Sequence, residues 1–347
     1  MKIKNLLKRF RSRKKNAIIF NRLEAKLDYL TRCFGIHGLD RFTYETDIFI
    51  NKNGGEYFPN YIRPQSLMEY ILHIIVNYYE RSPIKWILRH KFLAKQFVQD
   101  IVGDEHIVKL YGVYDWPEQI DFDKLPNSFV LKATVGWQSK QVIIIKDKSK
   151  MDKKETLAKL NEFIRDPATG ILDFTKNRII AEEYLENPDG TPVEDLKFMC
   201  SMGNVFLVAV HQQIPDVPVM SKNKTISYYS VPDYKYIPVK HGLYNNKQAF
   251  HPSYPNIPQP KNFDKVIALA KKITANLPFV RLDLYSVGDR ILVGELTWGA
   301  SGGHARLSPA KYDFELGKNI KFPDNPKDID EWIARDIAKY GEIKDLI

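Results

Sequence analysis

Two strand-like runs near the C-terminal end, FVRLDLYS and RILVGELT, flank a short turn at Val287-Gly288-Asp289 and carry charges where a buried strand carries none. Alternate strand residues share a face, so Arg281 pairs with Asp283 on one run and Glu295 with Thr297 on the other. A three-residue loop would set Arg281 opposite Glu295 and Asp283 opposite Val293. All four polar side chains then lie on one face, and Leu282, Leu284 and Leu296 on the other. A two-residue loop would slip the register and split the group. Two carboxylates and a hydroxyl on one face suit a hard cation such as Mg²⁺, which completes its shell with phosphate and water. The same residues would equally serve as a solvated strand face with an Arg–Glu cross-strand pair.

The rest of the chain decides what this hairpin is attached to. From residue 20 to about 100 the pattern is helical, clearest in QSLMEYILHIIVNYYE and KFLAKQFVQDIV. The character then changes to short β-rich runs bounded by turn residues: FVLKAT, QVIIIKD, RIIAEEYL, LKFMC and VFLVAVH. Helices are expected over Lys153–Ile164, over Asn262–Ala275 with Asn262 as N-cap, and over Ile329–Tyr340. Segment 212–260, rich in Pro, Tyr, Asn and Ser, reads as long loops. The fold class is α+β with a helical N-terminal region.

Charge is concentrated at one end. The formal net charge is +10, and eight basic residues fall within the first fifteen positions, with no acid before Glu24. The remainder is near neutral, which argues against nucleic-acid binding by the body of the chain. Ile3, Leu6, Leu7 and Phe10 follow helical spacing within that basic segment. Residues 1–15 therefore suit an anionic membrane surface, or else a solvated tail. No run approaches the ~18 apolar residues of a membrane span. Neither a secretory leader nor a disulfide framework is read, the latter because only Cys33 and Cys200 are present. A cytoplasmic location follows as an expectation, with a peripheral position on the inner face of the cytoplasmic membrane. Cys200 is read as a core residue.

Between the first β-runs lies a candidate phosphate site. Lys132 interrupts FVLKA, Lys146 ends VIIIK, and ATVGWQSK between them reads as a tight glycine-containing turn. A strand–turn–strand with a lysine on each side can wrap nucleotide phosphates, although either lysine could also snorkel at a surface. In RIIAEEYLE, a strand runs into acids, and Glu182 or Glu183 could accept from the exocyclic amine of adenine. SGGHARL, after the hairpin, is a glycine loop followed by His304 and Arg306, suited to a substrate anion or merely to a turn. His211 and His304 are the candidate general bases, with an ordinary structural role favoured for His211.

The series FVLK, IIIKDK, AEEYLE, EDLKF, FVRLDLY and GELT, in this order over about residues 85–320, resembles the TupA-like ATP-grasp proteins of bacterial surface-polysaccharide gene clusters. The resemblance implies two α+β subdomains clasping ATP. The expected divisions are a basic amphipathic tail (1–18), a mostly helical N-terminal domain (19–115), a nucleotide-binding subdomain (116–186) and a C-terminal subdomain with the metal site (187–347).

It also implies ATP and Mg²⁺ as cofactors and an ATP-dependent carboxylate–amine ligase. An amide would form between a uronic-acid carboxylate of a glycan and an amino acid or related amine, through an acyl phosphate, with ADP and phosphate released. By motif, Lys91 and Lys132 reach phosphate, although His90 stands where an acid usually precedes the first lysine. Glu182 to Leu185 match the adenine hinge, with Leu185 offering backbone; Glu194 takes the ribose, and Lys197 approaches phosphate. Asp283 and Glu295 match the metal carboxylates, and Arg281 steadies the acyl phosphate. Two departures stand out: the glycine loop reads ATVGWQS rather than NHGSG, and Thr297 replaces a metal-binding Asn. The alternative from another class is a non-catalytic nucleotide-binding scaffold in a membrane assembly. Intact Asp283 and Glu295 argue against it.

Overall fold

The computed structural model describes residues 60, 63–136, 141–165, 177–190, 193–213, 224–242 and 250–341. Helix α1 (Leu67–Ile74) starts at Ser66, whose hydroxyl accepts the Glu69 N–H at 3.2 Å while the Glu69 carboxylate accepts the Ser66 N–H at 3.0 Å. This is the reciprocal cap that the order S-x-x-E allows. A π-helical turn, Ile75–Tyr79, then drives Tyr78 and Tyr79 into the core, and the Tyr79 hydroxyl donates to the Phe279 carbonyl at 2.5 Å. α2 (Ile84–Arg89) and α3 (Lys91–Val102) follow, with His90 capping α3 by accepting the Leu93 N–H at 3.3 Å.

Strands β1 (Leu110–Tyr114), β2 (Phe129–Ala133), β3 (Val142–Ile145) and β4 (Ile179–Glu183) form an antiparallel sheet in the order β1-β4-β2-β3. Phe129, Leu131 and Ala133 meet Leu160 of α4 (Lys153–Arg165) on one face. By alternation Lys132 and Glu182 point to the opposite face.

A second, larger antiparallel sheet holds β5 (Glu194–Ser201), β6 (Asn204–Gln213), β7 (Lys224–Ser230), β8 (Tyr236–Ile237), β10 (Val280–Val287) and β11 (Arg290–Thr297), in the order β11-β10-β5-β6-β7-β8. Leu196, Phe198, Val208, Val210, Leu282 and Leu284 share one core with Phe263, Val266 and Ala270 of α5 (Phe263–Ile273). A short ladder joins β9 (Lys240–His241) to β12 (Leu307–Ser308). Helices α6 (Lys311–Gly317) and α7 (Pro326–Tyr340) close the described chain, and Asp336 of α7 accepts from Tyr78 and Ser82.

Several expectations change. The hairpin loop is two residues, with Val287 opposite Arg290 and Gly288 at φ +58°, yet the polar group is not split. A bulge between Leu284 and Asp283 leaves Gly294 unpaired, so the ladder jumps from Leu284–Val293 to Asp283–Glu295 and Arg281–Thr297. One extra residue restores the face that the shorter loop would have reversed. Glycine is required there, because a Cβ at 294 would stand 2.6 Å from the Tyr285 ring.

Segment 212–260 is not all loop, since β7, β8 and β9 come from it; its Tyr and Thr residues are strand formers once a neighbouring strand covers them. Asn262 precedes α5 with φ +62° and makes no side-chain cap hydrogen bond. The helices α1–α3 share the core of the large sheet, and β1 joins the small one. Cys200 is buried as expected, its thiol pushed up to about 12 by burial.

Candidate functional site

The bulged hairpin builds one half of the site. Asp283, 3% exposed, accepts from Arg281 Nε at 2.6 Å, from Arg281 Nη2 at 2.8 Å and from Lys197 Nζ at 2.6 Å. Lys197 also reaches Asp195 at 2.7 Å, and Arg281 donates to Thr297 Oγ1 at 3.0 Å and stands 3.8 Å from Glu295. The register explains the assembly: Glu295, Asp283 and Lys197 are directly opposite one another on β11, β10 and β5. Opposed residues of antiparallel strands point to the same side. Burial alone would lower the Arg281 guanidinium, but Asp283, with Glu295 and Asp195, holds it above its usual value. Tyr285, on the same face, is pushed up by burial and by Asp195, Asp283, Glu295 and Glu182.

The other half comes from the small sheet and α3. Glu182 accepts from Lys132 Nζ at 2.6 Å through Oε2 and from Lys95 Nζ at 3.0 Å through Oε1. Burial would raise this carboxyl, yet the two lysines bring it below its usual value. Lys91, one helical turn before Lys95, contacts the Gly136 carbonyl at 3.4 Å, and its backbone N–H donates to Thr134 O at 2.8 Å. Burial lowers Lys91, with Glu295 and Glu182 opposing and Lys132 and Arg89 adding to the drop. Lys91 thus senses charges of both sheets. A cleft between α3 and β11, lined by Arg89, Lys91, Lys95, Gly294 and Glu295, joins the halves.

Other residues from the sequence reading fall around this centre. Glu183 turns to Arg290, which donates to its two oxygens at 2.7 and 2.8 Å and ties β4 to the tip of the hairpin. Leu185 packs beside Val108, Val287 and Leu292. Lys146 is exposed, its Nζ 5.7 Å from the Tyr184 ring. Glu194 opens β5 opposite Ser286; its side chain lies outside the described part. His304 and Arg306 are placed not by the hairpin but by the loop behind it. That loop is packed rather than open: Ala300 and His304 are buried, and a Cβ at Gly303 would meet Leu72 at 2.6 Å. Arg306 lies over the Phe250 ring at 4.1 Å. His211 faces Asp195 across β5 and β6. Positions 137–140 of the glycine turn, and the tail 1–18, lie outside the described residues.

Sequence reasoning passed over Lys95, Asp195 and Tyr285. The signals were present: Lys95 is four residues after Lys91, hence on the same helical face, and Asp195 and Tyr285 are each two residues from a site residue on a strand.

The donors fit a hard cation carried with phosphate. Asp283 and Glu295 are opposed like charges, which destabilise a sheet unless a cation lies among them; Arg281 fills that part here. Among the described residues no group of three or more His, Cys, Asp or Glu could hold a metal alone. A cation bound by this pair therefore takes its remaining ligands from phosphate and water, as Mg²⁺ does. Among the described residues, also, no helix is long and apolar enough to cross a membrane.

Comparison with known proteins bears on this geometry. No curated protein matches the chain. Among solved structures it is similar to D-alanine–D-alanine ligase from Helicobacter pylori, at 14% identity and TM-score 0.41, covering 76% of this chain and 68% of that one. It is also similar to the ADP complex of N5-carboxyaminoimidazole ribonucleotide synthetase, at 15% identity and TM-score 0.38, covering 61% of this chain and 45% of that one. The ATP-grasp ligase PsnB, with minimal precursor, Mg and ADP, matches at 14% identity and TM-score 0.36, over 78% of this chain and 66% of that one. The chain thus spans less than half the length of the synthetase, and likeness at these scores assigns no shared mechanism. The family model for TupA-like ATP-grasp proteins matches residues 71–321, most of the chain. The chain belongs to the TupA-like ATP-grasp family.

Proposed function

We propose that the protein joins a uronic-acid carboxylate of a bacterial surface glycan to an amino acid or related amine as an amide, with ADP and phosphate as products. The observation that carries this reading is the opposed trio Glu295, Asp283 and Lys197, braced by Arg281, with Glu295 lining one cleft together with Lys91 and Lys95. In this reading Lys132 leaves Glu182 for a nucleotide phosphate and Lys91 takes a second one. Glu182, retained by Lys95, accepts from the adenine amine; Leu185 offers backbone and Glu194 meets the ribose. Asp283 and Glu295 would hold Mg²⁺, with Thr297 bridging through water; the ion would supply charge neutralisation on the transferring phosphoryl group.

Arg281 and Lys197 carry the catalytic load of the chain itself. Asp283 fixes both in place, and their N–H groups not given to it would meet the developing negative charge. The carboxylate substrate attacks the terminal phosphorus to form an acyl phosphate, ADP leaves, and the amine then displaces phosphate. His304, on the loop behind the hairpin, is the candidate base for the amine proton, and Arg306 on the same loop receives the carboxylate. Residues 1–15 dock the protein on the anionic inner face of the cytoplasmic membrane, where lipid-linked glycan acceptors are presented.

A coupled ADP assay over a panel of uronate glycans and amino acids tests the reading. ADP release that requires both an acceptor and an amine is expected. Release of AMP instead would overturn it.

A further inference from the structure

The row that holds the site does not stop at Lys197. Lys197 faces Ala209 on β6, Ala209 faces Tyr228 on β7, and all therefore point to the side of Asp283. Neighbouring strands lie ~4.8 Å apart, so Tyr228 starts ~10 Å beyond Lys197 with only a methyl group between them. The Tyr228 hydroxyl is 2.6 Å from His241 Nδ1, and the His241 ring is 5.9 Å from that of His251. His241 pairs with Leu307, and the Gly242 N–H donates to the Arg306 carbonyl at 2.7 Å, which brings Arg306 alongside. The acid bearing on Tyr228 is Asp313 of α6, whose Oδ1 accepts the Met68 N–H at 3.1 Å. Burial keeps the Tyr228 phenol protonated, and Arg281 opposes that effect from the metal side of the face.

We propose that Tyr228, His241, His251 and Arg306 form the subsite for the carboxylate substrate, and that it takes a carboxylate carried on a hydroxyl-rich ring, as in a uronic acid; this rests on the ligase reading above. A guanidinium recognises a carboxylate by paired hydrogen bonds. Two imidazoles and a phenol both donate and accept, as ring hydroxyls require. A cationic amine beside Arg306 would be repelled, so the amine enters from elsewhere. The carboxylate is already ionised at neutral pH and needs no base to attack. Ala209 is the smallest side chain of the row between Tyr228 and Lys197.

The test uses the full chain with Mg²⁺, the non-hydrolysable analogue AMP-PNP, D-glucuronate as probe and D-glucose as neutral control, by calorimetric titration. Glucuronate is expected to bind at least about tenfold more tightly than glucose, and His241→Gln and Arg306→Gln each to weaken it about tenfold. Tyr228→Phe keeps the buried ring and guards against misfolding; it should weaken glucuronate by roughly threefold to tenfold. AMP-PNP affinity should stay within about twofold throughout, and Lys240→Gln, exposed on β9, should change neither ligand. Equal glucuronate binding by wild type and both Gln variants overturns the subsite. So does a wild type that binds AMP-PNP but no glucuronate. A wild type that binds glucuronate in this pattern but no AMP-PNP keeps the subsite and refutes the ligase reading.

Discussion

Lys95→Met tests how the nucleotide half of the site is held together. Glu182 has a side chain only 2% exposed and shares its two oxygens between Lys132 and Lys95, whose side chains are 23% and 12% exposed. Removing every counterion from a buried charge costs about 3–5 kcal/mol. Here Lys132 remains, so the loss is nearer one hydrogen bond to a charged group, about 1.5–3 kcal/mol. Met keeps most of the apolar volume, which separates charge from packing.

The pH dependence gives the sharper check. The Glu182 carboxyl is held below its usual value, so its contribution is present above the ordinary glutamate range and fades as pH falls through the depressed value. Burial lowers Lys95, an unfavourable term that Glu182 offsets only while it is ionised. Near neutrality the variant should therefore be the less stable protein, and in acid the gap should close and reverse. Urea unfolding from about pH 7 to about pH 3.5 reads both regimes. Combining Lys95→Met with Glu182→Gln should recover much of the loss, with a coupling energy of about 0.5–3 kcal/mol. A stability difference that does not change with pH, or a variant as stable as wild type at neutrality, would refute the reasoning.

Asp283→Asn removes the anion that aligns Arg281 and Lys197, and turnover in the ADP assay should fall about 10²–10³-fold at saturating Mg²⁺, with the fold retained by circular dichroism. Gly294→Ala forces a Cβ against the Tyr285 ring, and unfolding should show a loss of about 1–3 kcal/mol from overpacking together with reduced turnover as the bulge shifts. Deletion of residues 1–15 should release the protein from anionic liposomes without changing turnover of a soluble acceptor. Full-length binding should weaken as salt shortens the Debye length from ~10 Å at 0.1 M to ~3 Å at 1 M; equal co-sedimentation of both forms would refute docking.

The α+β character and the strands that carry Lys132, Glu182, Asp283 and Glu295 were determined by the sequence. The reason is local: strand and helix periodicities repeat within a few residues, so they can be read from short windows. What tertiary structure decided is who meets whom. The hairpin loop has two residues, and the polar face survives only because Gly294 makes room for the Tyr285 ring and absorbs one residue as a bulge. Lys95 looks like any lysine on an amphipathic helix until the fold sets it 3.0 Å from Glu182 of β4. Tyr228, within a segment that reads as loop, joins the row of Asp283 only when β5 and β6 bring β7 alongside, and His241 meets it from β9. Lys197 and Asp283 are 86 residues apart and 2.6 Å from one another. Such pairings depend on the path of the whole chain and on packing that no short window contains.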